Sequence, residues 1–424
     1  MPDAGKLILS NAAGEAPDVA QAIDYTQPFE LAVRNAIVDM TKFDDYAEVM
    51  SRFPEGMLIP SVIDGGIYSM PETFYFWVQY YRTDIIEKLN IKVPNTIEDI
   101  QHIVPELKNR GLEFFYPTAG TTGQRSFAQM TPILYQSGVS LYNATYKYAD
   151  KTQPYYLTAI DSEKAITAFE TLTELFTIYD IPQDTSFYQH FRMGDIPIGI
   201  ADYFMYNTLI NAAPEIENSW AISLVPGVPQ VDENGNPVLD ENGEQVINRM
   251  TAGAAQNSVI MKSDRTEKIV LTDGSTMERD EAAWEYLKWW MSKDVQVEFG
   301  VTLQTTYGKE FIWNTANIEA FKELPWKSRD KAIIVEQMHN IVETPRIPGT
   351  YMLERELSNA YIEVVIDGGT LRTAIDTAVK RINRETVRKL KEFGYLDEDG
   401  NIIKEYEIPS IEMVREILAK GKKK

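Results

Sequence analysis

Short apolar runs alternate with amphipathic stretches along the first two thirds of the chain. Residues 67–81, IYSMPETFYFWVQYY, carry aromatic side chains at both odd and even positions. This pattern is typical of a strand that is covered on both faces, because a strand with one face in water alternates polar and apolar positions. A second apolar run, residues 196–201, follows the turn formed by Gly194 and Asp195 and predicts another buried strand.

Helical periodicity dominates the last third of the chain. Residues 280–291 are amphipathic, and Ser292 is expected to begin a second helix that Gly300 ends. Residues 371–382 place apolar side chains every three or four positions. Together with short predicted strands at residues 19–23 and 251–261, these patterns predict an α/β protein with a helical C-terminal region.

The length and composition of the chain predict two compact lobes. A chain of 424 residues with 44% hydrophobic and 11% aromatic residues is too long for one ordinary core and can bury two of about 200 residues each. Its 63 acidic residues exceed its 41 basic residues, which gives a formal charge of -22. This charge repels nucleic acid and anionic lipid, so we expect neutral or cationic small molecules and proteins as partners, and no nucleic acid.

Thiol and metal chemistry are excluded or disfavoured by the residue types present. The chain has no cysteine, and its three histidines are far apart in sequence. We therefore expect no catalytic residue of the Ser-His-Asp type, no metal site and no cofactor. The repeated Asp-Glu-Asn-Gly at residues 232–235 and 240–243 lacks the spacing of a calcium loop and predicts exposed turns. The sequence contains no run of about 18 apolar residues, which a membrane span would require, and no signal peptide is apparent in this chain.

Several rings follow the predicted strand at residues 196–201. Asp202 comes directly after it, and Tyr203, Phe204 and Tyr206 are expected in the first helical turn beyond. Open α/β sheets bind ligands at the carboxyl ends of their strands, so these rings are candidates for a binding cleft. The alternative, that they only pack the helix onto the sheet, remains open at this point.

Four stretches together resemble one family, the bacterial extracellular solute-binding proteins that deliver carbohydrates to ABC importers. They are GEAPDVAQAID at residues 14–24, the strand and helix start at residues 67–91, FRMGDIPIGIADYFMY at residues 191–206, and AAWEYLKWWMSKDVQVEFG at residues 282–300. The tail, with IPGTYMLERELSNAY, is similar to the large lipoprotein-type branch of this family.

The resemblance implies a two-lobe, periplasmic-binding-protein-like fold of type II, with hinge strands and helices at the C-terminus. Lobe one would comprise residues 1–74 with 255–314, and lobe two residues 75–254 with 315–424. Residues 74–77, 252–256 and 313–317 would cross between the lobes, which close over the ligand.

The resemblance also implies the function. The chain would be the extracellular component of an ABC importer that binds a carbohydrate, in particular an oligosaccharide, between its lobes and presents it to the permease; it would not be an enzyme. We expect Tyr203 and Tyr75 to stack on the sugar, and Asp24 and Arg355 to bind its hydroxyl groups. The alternatives are a sensor or scaffold derivative of the same fold and a glycosidase with two carboxylates. The full set of expected ligand-binding residues is Asp24, Tyr25, Glu72, Tyr75, Trp77, Arg125, Tyr203, Tyr206, Trp313, Tyr351 and Arg355.

The start of the chain departs from the family pattern. Relatives carry a signal peptide, often a lipid-accepting cysteine, and a strand, helix and strand before the segment that begins here at Lys6. We therefore expect lobe one to lack N-terminal strands and another chain to supply them, because an open sheet edge leaves backbone groups unpaired. The full-length parent would be anchored at the outer face of the cell membrane.

Overall fold

The computed structural model describes residues 4–117, 131–142, 158–308 and 311–422. Strands and helices are interleaved along these ranges until β12, after which only helices occur. The strands are β1 (Val19–Asp24), β2 (Val62–Ile63), β3 (Gly66–Ile67), β4 (Met70–Arg82), β5 (Phe114–Phe115), β6 (Ile198–Asp202), β7 (Trp220–Ser223), β8 (Val228–Pro229), β9 (Ile247–Asn248), β10 (Gly253–Ile260), β11 (Ile269–Val270) and β12 (Thr276–Met277).

The helices follow the amphipathic stretches of the sequence. The clearest local signal is at α5, where Thr96 and Asp99 form a reciprocal capping box, as their spacing predicts. The helices are α1 (Ala4–Ala12), α2 (Gln27–Val33), α3 (Tyr46–Met50), α4 (Thr83–Leu89), α5 (Ile97–Lys108), α6 (Thr131–Gln136), α7 (Glu163–Thr177), α8 (Phe187–Met193), α9 (Met205–Ala212), α10 (Arg279–Trp290), α11 (Lys293–Tyr307), α12 (Ile318–Glu323), α13 (Ser328–Met338), α14 (Thr350–Tyr361), α15 (Leu371–Glu392) and α16 (Ile411–Gly421).

One long strand, β4, organises the main sheet. Its first half, residues 70–76, pairs antiparallel with β10, and its second half, residues 77–82, pairs antiparallel with β6 and β7. β1 pairs with the other side of β10, and β5 pairs in parallel with β6. The strand order is β1-β10-β4-β6-β5, with β7 also on β4. β4 therefore belongs to both halves of the sheet and changes partners near Trp77.

The three segments that were predicted to cross between the lobes lie beside one another. Residues 74–77 contain the change of partner within β4, and residues 253–256 of β10 pair with its first half. The segment at 313–317 runs along the same half, because Thr315 bridges Thr73 and the Ala316 N–H donates to the Glu72 carbonyl at 2.8 Å.

A further segment, residues 341–343, joins this arrangement and was not identified from the sequence. Ile341 bridges Thr251, and the Glu343 N–H donates to the Gly56 carbonyl at 3.1 Å. The chains approach closely here, since a Cβ at Gly56 would lie 1.9 Å from the Ile341 carbonyl oxygen. Only glycine permits this contact.

The two faces of β4 have different environments. Phe74, Phe76 and Tyr80 are buried in a core that also holds side chains of α9 and α10. Tyr75 and Trp77, on the opposite face, are only partly buried. Because successive side chains of a strand point to opposite faces, one face of β4 is sealed and the other carries accessible rings where the sheet changes partners.

Candidate functional site

Tyr75 and Trp77 form the floor of the candidate site. They lie two residues apart on the same face of β4 and remain partly exposed. The Trp77 ring meets the ring of Tyr116 edge to face, at 6.2 Å between centroids. Both rings thus occupy the point where β4 leaves β10 and joins β6.

Asp202 and Phe204 stand beside these rings at the end of β6. Asp202 is directly opposite Trp77 in the antiparallel register, so the two side chains share one face of the sheet. Its Oδ1 accepts a hydrogen bond from the Phe204 N–H at 2.7 Å, and burial raises the pKa of Asp202 to about 7. The Phe204 ring is 43% exposed and meets Tyr75 edge to face at 6.5 Å. A carboxyl group and an accessible ring are therefore held next to Tyr75.

Asp24 and Tyr25 end β1 on the far side of the sheet. Asp24 Oδ1 accepts hydrogen bonds from the Thr26 N–H at 3.0 Å and the Thr26 hydroxyl at 2.6 Å, which fix the carboxylate at the strand end. The Tyr25 ring packs on the guanidinium of Arg346 at 4.7 Å, a cation–π contact between residues far apart in sequence. Burial raises the pKa of Tyr25, so its hydroxyl stays protonated.

Arg346 and Glu343 connect these two groups. Both are buried, with 3% and 1% of their surface exposed. A Cβ at Gly253 would lie 3.4 Å from Glu343 Oε1 and 3.0 Å from the Tyr75 carbonyl oxygen, so the Glu343 carboxylate lies beside the floor. Burial raises the pKa of Glu343, and the nearby Arg346 opposes that shift. We call the following residues the β4 site: Asp24, Tyr25, Tyr75, Trp77, Asp202, Phe204, Glu343 and Arg346.

Two tyrosines that were expected to bind the ligand lie elsewhere. Tyr203 is 1% exposed and stacks on Phe76 at 4.6 Å with an interplanar angle of 12°, on the sealed face of β4. Tyr206 is also buried, and its hydroxyl donates to Asp330 at 2.7 Å. The expected stacking of Tyr203 on a ligand does not fit this placement, because its ring is enclosed by other rings. The alternative of core packing describes both tyrosines.

The structure does not add the other expected residues to the β4 site. Glu72 is buried and accepts hydrogen bonds from Gln21, the Ala22 N–H and Trp290, which anchor an irregularity in β1. Trp313 donates to Gln296 at 2.7 Å. Glu72 and Trp313 are each held by these partners, and Arg125 lies outside the described residues. The Tyr351 hydroxyl donates to Glu385, and Arg355 Nε donates to Glu356 Oε1 at 3.1 Å.

Sequence reasoning missed three polar members of the site as ligand contacts. Asp202 was noted only for its place before the expected helix, although its place after a buried strand also suits a ligand contact. Glu343 and Arg346 lie in ETPRIP, where two prolines exclude a regular helix. The presence of two charged residues in a segment with prolines was the signal that could have indicated a site there.

The described residues hold no clustered metal ligands, and two surface recesses lie away from the β4 site. No group of three or more His, Cys, Asp or Glu side chains within the described ranges is arranged to hold a metal ion. Two surface recesses, of about 540 and 740 Å³, contain none of the β4 site residues. None of the helices in residues 4–117, 131–142, 158–308 and 311–422 is long and apolar enough to cross a membrane.

Comparison with known proteins places the chain among binding proteins. A family model described as bacterial extracellular solute-binding protein matches residues 3–307. No curated protein matches the chain. The matching family is one of solute-binding proteins and not of enzymes.

Solved structures with the same architecture include several sugar-binding proteins. A solute-binding protein from Thermotoga Lettingae bound with α-D-tagatose is 17% identical, with a TM-score of 0.62 over 90% of this chain and 88% of that one. The maltose-bound MalE3 of T. maritima is 17% identical, with a TM-score of 0.61 over 90% and 88%. The sugar-binding protein MalE of Xanthomonas citri is 16% identical, with a TM-score of 0.65 over 92% and 88%. At these identities the similarity shows the fold, which confirms the predicted two-lobe α/β architecture.

Proposed function

Because the chain belongs to the bacterial extracellular solute-binding proteins, we propose that it binds a neutral carbohydrate at the β4 site and presents it to the transmembrane subunits of an ABC importer. The observation that carries the proposal is the pair of partly exposed rings, Tyr75 and Trp77, flanked by the Asp202 carboxyl group. Sugars are bound by aromatic faces against their C–H surfaces and by polar side chains against their hydroxyl groups.

The distribution of the site residues over several strands favours an oligosaccharide. The β4 site extends from Phe204 and Asp202 across Tyr75 to Tyr25 and Asp24, which are contributed by strands on opposite sides of the sheet. The named ligands of the similar structures, tagatose and maltose, support a carbohydrate. We assign residues 1–74 with 255–314 to lobe one and the remainder to lobe two, so that the site lies between them.

The proposal is tested by thermal unfolding with a ligand panel. The panel contains tagatose, maltose, maltotetraose, cellobiose, mannobiose and xylobiose, with amino acids and dipeptides as comparison. A ligand that binds only the native state at 100 times its Kd adds about 2.7 kcal/mol to stability. We expect at least one sugar to raise Tm.

Two variants separate the site from the rest of the surface. Tyr75→Ala should weaken sugar binding about tenfold, since it removes a stacking ring. Tyr307→Ala removes an exposed ring of α11 and should leave affinity unchanged. Tm shifts confined to amino acids or peptides, or equal sugar affinity in both variants, would contradict the proposal.

We further propose that a strand from another chain pairs with β1, and that the protein is anchored at the outer face of the cell membrane. Within the described residues β1 pairs only with β10. Beside it, Trp289 of α10 is 56% exposed, and the Tyr286 hydroxyl donates to Gln21 of β1 at 2.9 Å. An edge strand bordered by exposed rings is a surface on which a further strand can add.

Hydrogen exchange and sedimentation test the pairing. In the isolated chain the amides on the free side of β1 should exchange quickly, and in an assembly they should become protected. A monomer with all β1 amides protected would rule out the added strand. Protease accessibility of the protein on intact cells tests its anchoring.

A further inference from the structure

Arg346 retains hydrogen-bonding capacity that the protein does not use. Of its guanidinium nitrogens, Nη1 donates to Glu354 Oε1 at 2.6 Å, whereas Nε and Nη2 are buried and have no partner in the described part of the chain. Buried N–H groups are nearly always paired in native proteins, because losing water without a replacement is costly. Two open donors on one side of a guanidinium therefore point to a partner outside the chain.

Glu343 carries the complementary open acceptor. Its Oε1 is buried and has no partner among the described residues, and it lies beside Gly253, where a Cβ would also meet the Tyr75 carbonyl oxygen. In the described part of the chain Arg346 forms its ion pair with Glu354 and not with Glu343. The open donors and the open acceptor thus belong to residues three positions apart.

The segment that carries both residues is held in place. The Tyr406 hydroxyl donates to the Arg346 carbonyl at 2.6 Å, and the hydroxyl groups of Tyr135 and Thr344 are 3.3 Å apart. The Ile347 N–H donates to the Thr350 hydroxyl at 2.8 Å. Because these contacts fix the backbone on both sides, the two side chains are preorganised for a ligand.

We propose that Arg346 and Glu343 recognise two neighbouring hydroxyl groups of the carbohydrate, with Arg346 Nε and Nη2 donating to one oxygen and Glu343 Oε1 accepting from the other hydroxyl. This inference rests on the proposed function and assigns its specificity. Tyr25 covers only the face of the guanidinium, and the N–H groups lie in its plane, so they stay free to bind. Since Tyr25 and Arg346 belong to different lobes in our assignment, lobe opening would admit the sugar.

The charges favour hydroxyl groups over ionic ones. Glu343 and Glu354 lie close to Arg346, and Asp24 lies close to Glu343, so an added carboxylate or phosphate would enter a cluster that already holds three acidic residues. An added ammonium would meet the Arg346 cation. A hydroxyl group both accepts and donates, and it therefore satisfies the two residues without adding charge.

Calorimetry with modified sugars tests the inference. The neutral sugar of the panel that binds most tightly is titrated together with its monodeoxy derivatives into the wild type, Arg346→Gln and Glu343→Gln. Each variant should lose at least tenfold in affinity. One deoxy derivative should lose the most affinity for the wild type. For one of the two variants, the affinities for this derivative and for the parent sugar should be equal, because the variant and the derivative each lack one partner of the same hydrogen bond.

The controls separate this inference from the proposed function. Arg192→Gln, in an exposed ion pair with Glu215, should bind as the wild type does. If Arg346→Gln does not fold, Glu343→Gln, which is close in shape to the native residue, decides together with the deoxy sugars. The inference would be overturned, and the proposed function would stand, if both variants kept the wild-type affinity for the sugar. The same holds if the affinity losses caused by a variant and by a deoxy derivative were additive. A wild type that binds no sugar would overturn the proposed function with it.

Discussion

Tyr203 and Tyr206 lie in the same core, but their hydroxyl groups have different surroundings. The Tyr206 hydroxyl donates to the buried carboxylate of Asp330 at 2.7 Å. The Tyr203 hydroxyl is buried and has no partner within the ranges that the structure describes. Both rings therefore pack in the core, while only one of the two hydroxyl groups contributes a hydrogen bond.

Replacing each tyrosine by phenylalanine should give opposite effects. Tyr203→Phe removes an unpaired buried hydroxyl and should raise the free energy of unfolding by up to about 1 kcal/mol. Tyr206→Phe leaves Asp330 without this partner and should lower it by about 1 to 3 kcal/mol. Urea denaturation measures both, and each variant is the control for the other. A Tyr203→Phe protein that is clearly less stable than the wild type would show that its hydroxyl has a partner.

Asp202 should make stability depend on pH. Its pKa rises from 3.8 to about 7, so the native state holds this proton more tightly than the unfolded state. The contribution of Asp202 to stability therefore falls as pH rises from about 4 to about 7 and is constant outside this window. Asp202→Asn cannot ionise and keeps an acceptor for the Phe204 N–H, so it should gain stability relative to the wild type across the window.

Thermal unfolding at several pH values checks this expectation. Asp264→Asn, at an exposed position, is the matched control and should follow the wild type. A constant difference between Asp202→Asn and the wild type from pH 4 to 8 would count against the raised pKa.

At the residue scale, sequence identified strand ends better than it identified faces. Asp24 lies at the end of β1 and Tyr75 lies on the open face of β4, and their binding of a ligand stays a prediction. Tyr203 packs on Phe76, on the sealed face of β4. Residues 67–81 are aromatic at both odd and even positions, so their pattern does not tell the sealed face of β4 from the open one. The Tyr25 contact with Arg346 joins residues at opposite ends of the chain, and no local pattern encodes such a contact.

At the element scale, most predicted strands and helices are confirmed, but the start of one helix and the end of another are wrong. The helix expected directly after Asp202 begins only at Met205. Gly300 was expected to end a helix after Ser292, but α11 continues to Tyr307. The reason lies in packing, since a Cβ at Gly300 would lie 2.7 Å from Leu324 Cδ2. This glycine serves a close approach of two helices and not a helix cap, and a single sequence does not distinguish the two roles.

Gly56 provides a test of how tightly the segments beside β4 are packed. Gly56→Ala would place its Cβ 1.9 Å from the Ile341 carbonyl oxygen, so the backbone must shift. We expect a loss of about 1 to 3 kcal/mol or more in the free energy of unfolding. Gly235→Ala, in an exposed turn with φ of 82° and no neighbour within 4 Å, should lose only about 1 kcal/mol from its left-handed backbone. Equal losses in guanidinium denaturation would mean that the approach at Gly56 is not constrained.

At the scale of the whole molecule, the sequence predicted the fold class and the sign of the charge field. The resemblance carried the two-lobe architecture, which local patterns alone do not contain. The formal charge of -22 is spread over a structure whose ion pairs, such as that between Arg192 and Glu215, are mostly exposed. Mutual repulsion of the acidic residues therefore opposes folding more than exposed ion pairs support it.

Salt should accordingly stabilise the protein. Raising NaCl from 10 mM to 150 mM shortens the screening length from about 30 Å to about 8 Å and weakens the repulsion. We expect Tm to rise by a few degrees, as measured by scanning calorimetry. Choline chloride at equal ionic strength is the control for specific Na⁺ binding. A Tm that falls with salt would show that attractive ion pairs dominate.

The pairing of β1 with β10 also governs how the protein can be made. Ala20 lies opposite Val259, and the Tyr46 hydroxyl donates to the Ile417 carbonyl, so the N-terminal segments need partners that are synthesised much later. At about 5 to 20 residues per second, β1 waits on the order of ten to fifty seconds for β10. During that time a six-residue strand and its apolar neighbours have no native cover. Newly made chains should therefore depend on chaperones, and translation speed between β1 and β10 should affect the yield of folded protein.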